Sequence, residues 1–122
     1  MDLARNNPYM KMVVSILKAG RIIDYKVSET LKEFGITHIQ FNILRILEAE
    51  YPKKLSLGEV KKGLLFQTSD VSRLIDRLVN RELIDRAFCP ENRRKLEISI
   101  TEKGLTVIKN SLPKIEKKLD FY

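Results

Sequence analysis

Between Pro8 and Phe34 the sequence sets Val13, Ile16, Gly20, Ile23, Val27, Leu31 and Phe34 at steps of three and four, the apolar stripe of one long helix. Asn7 ahead of Pro8 fits a side-chain cap followed by proline at the first helical position, and Gly35 fits a left-handed stop. A helix over 8–34 spans about 40 Å, more than the width of the compact body that 122 residues build alone. An apolar face of that length points to a partner subunit.

Two further helix starts use one local device. Thr37 with Gln40, and Ser56 with Glu59, are capping boxes, and Ile36 with Phe41, and Leu55 with Val60, have the spacing of hydrophobic staples. The second helix is expected over about 38–50, ending at Tyr51-Pro52, and the third over about 57–62, closed by Gly63. A fourth is predicted over 68–80, with Val71, Leu74, Ile75 and Leu78 inward and Ser69, Ser72, Arg73, Asp76 and Arg77 outward. Leu83–Phe88 and Lys95–Ile100 read as two strands, and the polar tip Cys89–Arg94 reads as too long for a tight two-residue turn. Thr101 caps a last helix with Leu105, Ile108, Leu112, Ile115 and Leu119 inward, which Pro113 is expected to kink or divide.

The expectation is one domain over 1–122, mainly α with a small β-hairpin. A helix-helix-helix-hairpin unit over 36–100 lies between long helices at 8–34 and 101–120. This is the winged helix-turn-helix plan, in which the last helix of the unit enters the major groove of DNA and the hairpin reaches the flanking minor groove. Charge agrees with that plan. Residues 53–95 hold 11 Lys and Arg against 6 Asp and Glu, a balance of +5, while the remainder holds 12 against 10, or +2. A cationic surface of this kind suits an anionic partner. Double-stranded DNA fits better than a membrane, because the basic residues gather on a short helix and a hairpin instead of along one amphipathic helix.

The same composition excludes other classes. One His and one Cys cannot build a zinc cage or a CxxC pair, and with no Gly-rich phosphate loop there is no catalytic constellation, so no enzyme, metal or cofactor is expected. Met1-Asp2-Leu3-Ala4-Arg5 is polar where a signal peptide turns apolar, which suggests a cytoplasmic protein.

Asp70-Val71-Ser72-Arg73-Leu74-Ile75-Asp76-Arg77-Leu78, the Asn92-Arg93-Arg94 tip and Ile100-Thr101-Glu102-Lys103-Gly104 together resemble the MarR family of bacterial transcription regulators, over about residues 36–110. The resemblance implies a homodimer built from the terminal helices and bound to a pseudo-palindromic operator. It also implies release by a small-molecule or redox signal in many members. Arg94 matches the arginine of the family's wing. Asn92 stands where the family has an aspartate that orients that arginine, and Glu82 where it has a glycine. If that second turn needs positive φ, Glu82 costs on the order of 1 kcal/mol.

The residues expected to touch DNA are therefore Thr68, Ser69, Ser72, Arg73 and Arg77 on helix 68–80, with Arg93, Arg94 and Lys95 on the wing 89–95. Either Arg73 or Arg77 could instead be held by Asp76. Lys61 and Lys62 fit DNA steering and helix-dipole compensation equally well. Cys89 reads as structural, since the redox-sensing members carry their cysteine in the first helix, and His38 reads as a surface histidine. Tyr9, Met10, Met12 and Tyr25 suit subunit packing better than an effector pocket. The rival to a DNA-reading regulator is a winged helix used for protein contact, without an operator.

Overall fold

In the computed structural model, which describes residues 7–120, Asn7 caps the first helix, α1 (Pro8–Leu31), by accepting the Tyr9 N–H at 2.9 Å. Met1–Arg5, on which the cytoplasmic expectation rests, lie outside the described residues. The helical path continues as a 3-10 turn, Lys32–Phe34, and stops at Gly35, whose φ is +71°. The Gly35 N–H donates to Lys32 O and the Ile36 N–H to Leu31 O, the paired bonds of a Schellman stop. Only Val27 and Leu31 of α1 are buried, whereas Ile16 is 62% and Leu17 64% exposed. Most of the predicted stripe thus finds no cover within the chain.

Both capping boxes form. Thr37 and Gln40 open α2 (His38–Glu50), and Ser56 and Glu59 open α3 (Leu57–Gly63). Ile36, Phe41, Leu55 and Val60 are all buried, as hydrophobic staples require. The Ser56 N–H, donated to Glu59 Oε1 at 3.0 Å, holds the Glu59 carboxyl below its usual range, with Lys53 and Lys95 adding smaller attractions. This cap contributes stability above the ordinary carboxylate pKa and loses it only as pH falls through the lowered value.

Four local expectations are corrected. Gly63 does not close α3 in a left-handed turn. It is the last helical residue, and a Cβ there would lie 3.0 Å from the Ile46 side chain, so the glycine serves close packing on α2. The fourth helix, α4 (Val71–Asn80), starts three residues later than predicted, which leaves Thr68 and Ser69 in the preceding turn. Leu55–Ser56 forms a short strand, β1, so the hairpin of β2 (Ile84–Cys89) and β3 (Asn92–Ile100) becomes a three-stranded antiparallel sheet of order β1-β3-β2. Pro113 does not divide the last helix, α5 (Glu102–Leu119). Its missing N–H would have bonded Lys109, and both residues are exposed, where water can serve that carbonyl.

The core gathers Ile43, Leu44 and Leu47 from α2, Val71, Ile75 and Leu78 from α4, Ile84 and Ile98 from the sheet, and Ile108 from α5. α5 packs on α1 and α2, so the two terminal helices lie together on one side of the helix-turn-helix unit. α4 ends in a second Schellman stop: the Glu82 N–H donates to Val79 O and the Leu83 N–H to Leu78 O, with Glu82 at φ +62°. The positive φ that the family's glycine would supply is therefore adopted by a glutamate. Thr101 locks this turn, donating its hydroxyl to Glu82 O at 2.7 Å while its N–H reaches Leu83 O.

Gly104 sits beneath the same turn, where an added Cβ would lie 2.2 Å from Leu83 O, a backbone atom that cannot swing away. Gly104→Ala is expected to destabilise the fold by about 3 kcal/mol, the upper end of ordinary overpacking. Glu82→Gly is expected to stabilise it by about 1 kcal/mol through relief of the left-handed conformation. Urea midpoints at unchanged m-value read both effects.

Candidate nucleic-acid interface

α4 buries Val71, Ile75 and Leu78 and turns Ser72, Arg73, Asp76 and Arg77 to solvent. Its pattern is amphipathic with a cationic outer face. The alternative left open, that Asp76 holds Arg73 or Arg77, is not what forms. Asp76 pairs with Arg86 on β2, because the strand passes beside α4 and brings a guanidinium to the carboxylate from outside the helix. Arg73 and Arg77, one turn apart on the same face, make no hydrogen bond or ion pair among the described residues. Their guanidinium donors are free for a ligand.

The turn into α4 carries the other hydroxyls. Thr68 is half-buried and its Oγ1 accepts the Asp70 N–H at 3.3 Å, while Ser69 is exposed. Asp70 stands at the cap position of α4 without a side-chain hydrogen bond to its amides. Thr68 and Ser69 line an open groove of about 660 Å³ together with Lys61 and Lys62 from the end of α3. The sequence left two roles open for that lysine pair, and the fold sets it beside two of the residues expected to touch DNA.

Two residues that sequence reasoning undervalued hold this turn in place. Asn42 is buried in α2, and its Oδ1 accepts the Leu65 N–H at 2.8 Å. Its position inside the apolar run Phe41-Asn42-Ile43-Leu44 was a readable signal, since an amide among core residues must find a partner. His38 is not a free surface histidine. Its side chain is only 17% exposed, with Nδ1 2.6 Å from Asp24 Oδ1 on α1 and its ring edge-on to Phe66 at 4.8 Å.

On the wing, the ladder pairs Phe88 with Leu96 and then Cys89 with Asn92. The strands therefore close over the two residues Pro90 and Glu91, contrary to the long tip expected. The extra length is taken up inside β3: Arg93, Arg94 and Lys95 have no counterparts on β2 and bulge from the ladder. All three are exposed. Asn92 Oδ1 accepts the Arg94 N–H at 3.1 Å, so it fixes the backbone of Arg94 and leaves the guanidinium untethered. Lys95 lies near enough to Glu59 to help lower its carboxyl, which places it toward the start of α3. Phe88, 64% exposed, is an apolar surface on the same hairpin.

Cys89 is half-buried in the hairpin turn. Tyr9, Met12 and Tyr25 are exposed on α1, and the shallow groove on that helix is lined by Val14, Leu17, Lys18 and Arg21 instead. Among the described residues no group of three His, Cys, Asp or Glu is placed to hold a metal ion, and no helix is long and apolar enough to cross a membrane.

Comparison with known proteins gives this arrangement a setting. The sequence model of the MarR family matches residues 34–95. The HTH-type transcriptional regulator PapX of Escherichia coli is 30% identical over 92 residues, which cover 75% of this chain and 56% of PapX, so the chain spans little more than half of that relative. The uncharacterized HTH-type transcriptional regulator YpoP of Bacillus subtilis is 32% identical over 111 residues, 91% of this chain and 74% of YpoP. Among solved structures, Sco3205, a MarR family transcriptional regulator from Streptomyces coelicolor in complex with DNA, superposes with a TM-score of 0.79. It is 22% identical, and the match covers 90% of this chain and 69% of that one.

Proposed function

From the premise that this chain belongs to the MarR family, we propose that it is a sequence-specific DNA-binding transcription regulator that works as a homodimer, represses by occupying its operator and acts in the cytoplasm. The observation that carries this reading is the pair of free arginines, Arg73 and Arg77, on the outer face of α4, with a basic bulge on the hairpin that Arg86 ties to the same helix. The DNA complex of Sco3205 supports the use of this fold on a duplex.

Each part has a physical task. A major groove about 12 Å wide admits α4, whose arginines offer the planar donor pair that matches guanine O6 and N7. Ser69, Lys61 and Lys62 face the flanking phosphates and supply the salt-dependent, sequence-independent share of affinity. Arg94 enters the minor groove, held there through its backbone by Asn92 and free to follow the groove's width with its guanidinium. The exposed apolar face of α1, with α5 beside it, is the surface that two copies bury against each other. A two-fold protein of this kind reads a two-fold operator, with half-sites a helical turn or a multiple apart.

Two measurements test the assignment. In a salt series on the chain's own promoter region, Arg94→Ala is expected to lower the slope of log affinity against log salt by about 1, and Arg73→Ala to cost about 1–3 kcal/mol and relax base preference at one position. Unchanged affinity and slope in both variants would remove the groove assignment. In sedimentation equilibrium the chain is expected at twice its own mass, and Ile16→Glu with Ile23→Glu at the single mass.

A further inference from the structure

We propose that Arg81 is a positioning residue that sets the angle between the recognition helix and the dimerisation helix, and through it the spacing at which two subunits read DNA. Arg81 is the C-cap of α4, yet its guanidinium is spent 46 residues away: Nη2 donates to Phe34 O at 2.9 Å and Nη1 donates to Gly35 O. Both acceptors belong to the Schellman stop that ends α1 and its 3-10 extension. The planar group thus joins the ends of two helices with two parallel hydrogen bonds. It also places a full positive charge at the negative end of the first helical path. Gly35 leaves room for the clamp, since a Cβ there would lie 3.1 Å from both guanidinium nitrogens, tighter than ordinary contact.

The position of this link gives it leverage. α1 packs on α5 and α2 but buries only Val27 and Leu31, near its C-terminal end, while its 24 residues span about 36 Å. A tilt of about 5° at the anchored end moves the far end by about 3 Å, comparable with the rise of one base pair, about 3.4 Å. Rigidity where α1 meets α4 is therefore needed for a dimer to distinguish half-site spacings one base pair apart. Lysine cannot replace the clamp fully, because an ammonium is a point charge without the paired planar donors. A stabilising contact alone would shift the unfolding temperature; a positioning contact also changes the spread of helix angles well below it.

The consequence for DNA rests on the reading given above, whereas the clamp itself does not, and the experiment separates the two. In a Cys89→Ser background, Lys18→Cys on α1 and Ser72→Cys on α4 take spin labels, and labelled chains are diluted into unlabelled ones so that only distances within one chain are recorded. A narrow distance distribution is expected with Arg81, one at least about twice as wide with Arg81→Gln, and an intermediate one with Arg81→Lys. Equal widths in all three, measured well below each unfolding temperature, overturn the proposal. Unlabelled chains are then assayed on an operator and on the same operator with one base pair inserted between half-sites. With Arg81 the insertion is expected to weaken binding at least about tenfold, and with Arg81→Gln less than about threefold; equal penalties overturn the spacing role. Failure of the parent chain to bind any operator counts against the DNA reading, and the distance distributions still decide the clamp.

Discussion

The constraint on which the rest depends is the uncovered apolar face of α1. A 24-residue helix whose first two-thirds exposes Val13, Ile16, Leu17, Ile22 and Ile23 has no reason to be that long in an isolated chain. In the proposed dimer, burying such a face between two copies would contribute on the order of 10 kcal/mol before the cost of association is subtracted. The remainder of the fold can then be understood as what must be attached to this helix with a defined orientation. Val27 and Leu31 seat its last turns in the core, Asp24 meets His38, Glu33 meets Lys114 of α5, and the carbonyls at its end meet Arg81. Each of these contacts lies at Asp24 or beyond it along the helical path, which leaves the earlier turns of α1 for another surface.

What the sequence made legible was local. Capping boxes are written in residues three apart, the α1 stripe in steps of three and four, and the alternation of Leu96, Ile98 and Ile100 in steps of two, so each could be read without knowing the fold. The features that were misread depend on contacts across the chain. β1 is two residues long and exists because Leu55 and Ser56 find Ile98 and Glu97 on β3. Asp76, open in the sequence to pairing with Arg73 or Arg77, holds Arg86, because tertiary packing brings β2 past it. Thr68 and Ser69 lie in the turn that Asn42, from another helix, anchors at Leu65. The Arg81 clamp left no trace in the sequence beyond an arginine near a helix end, a position where basic residues need no special account. For the candidate site, the run of hydroxyl and basic residues was legible and their intramolecular partners were not.

Both departures from the family's pattern acquire a physical meaning. Glu82 adopts the left-handed conformation that glycine would take without strain, and it is held there by the two Schellman bonds and by Thr101, with Gly104 packed beneath. The turn between α4 and β2 is thus fixed by its surroundings more than by its own residue. Asn92 orients the Arg94 backbone instead of pairing with its side chain, so the wing presents an unneutralised cation. Together with the free Arg73 and Arg77, this leaves the proposed DNA surface with its basic groups available, while Asp76, the carboxylate on that face of α4, is occupied by Arg86.

In the proposed assembly, two copies of this surface, held by α1, read one duplex. Selection from a random pool of double-stranded DNA tests it most directly, because it requires both base recognition and two-fold symmetry. The account predicts enrichment of an inverted repeat whose half-sites are centred about one helical turn apart, or a multiple of it. Recovery of no symmetric sequence, with retained binding that is uniform across the pool, would contradict it.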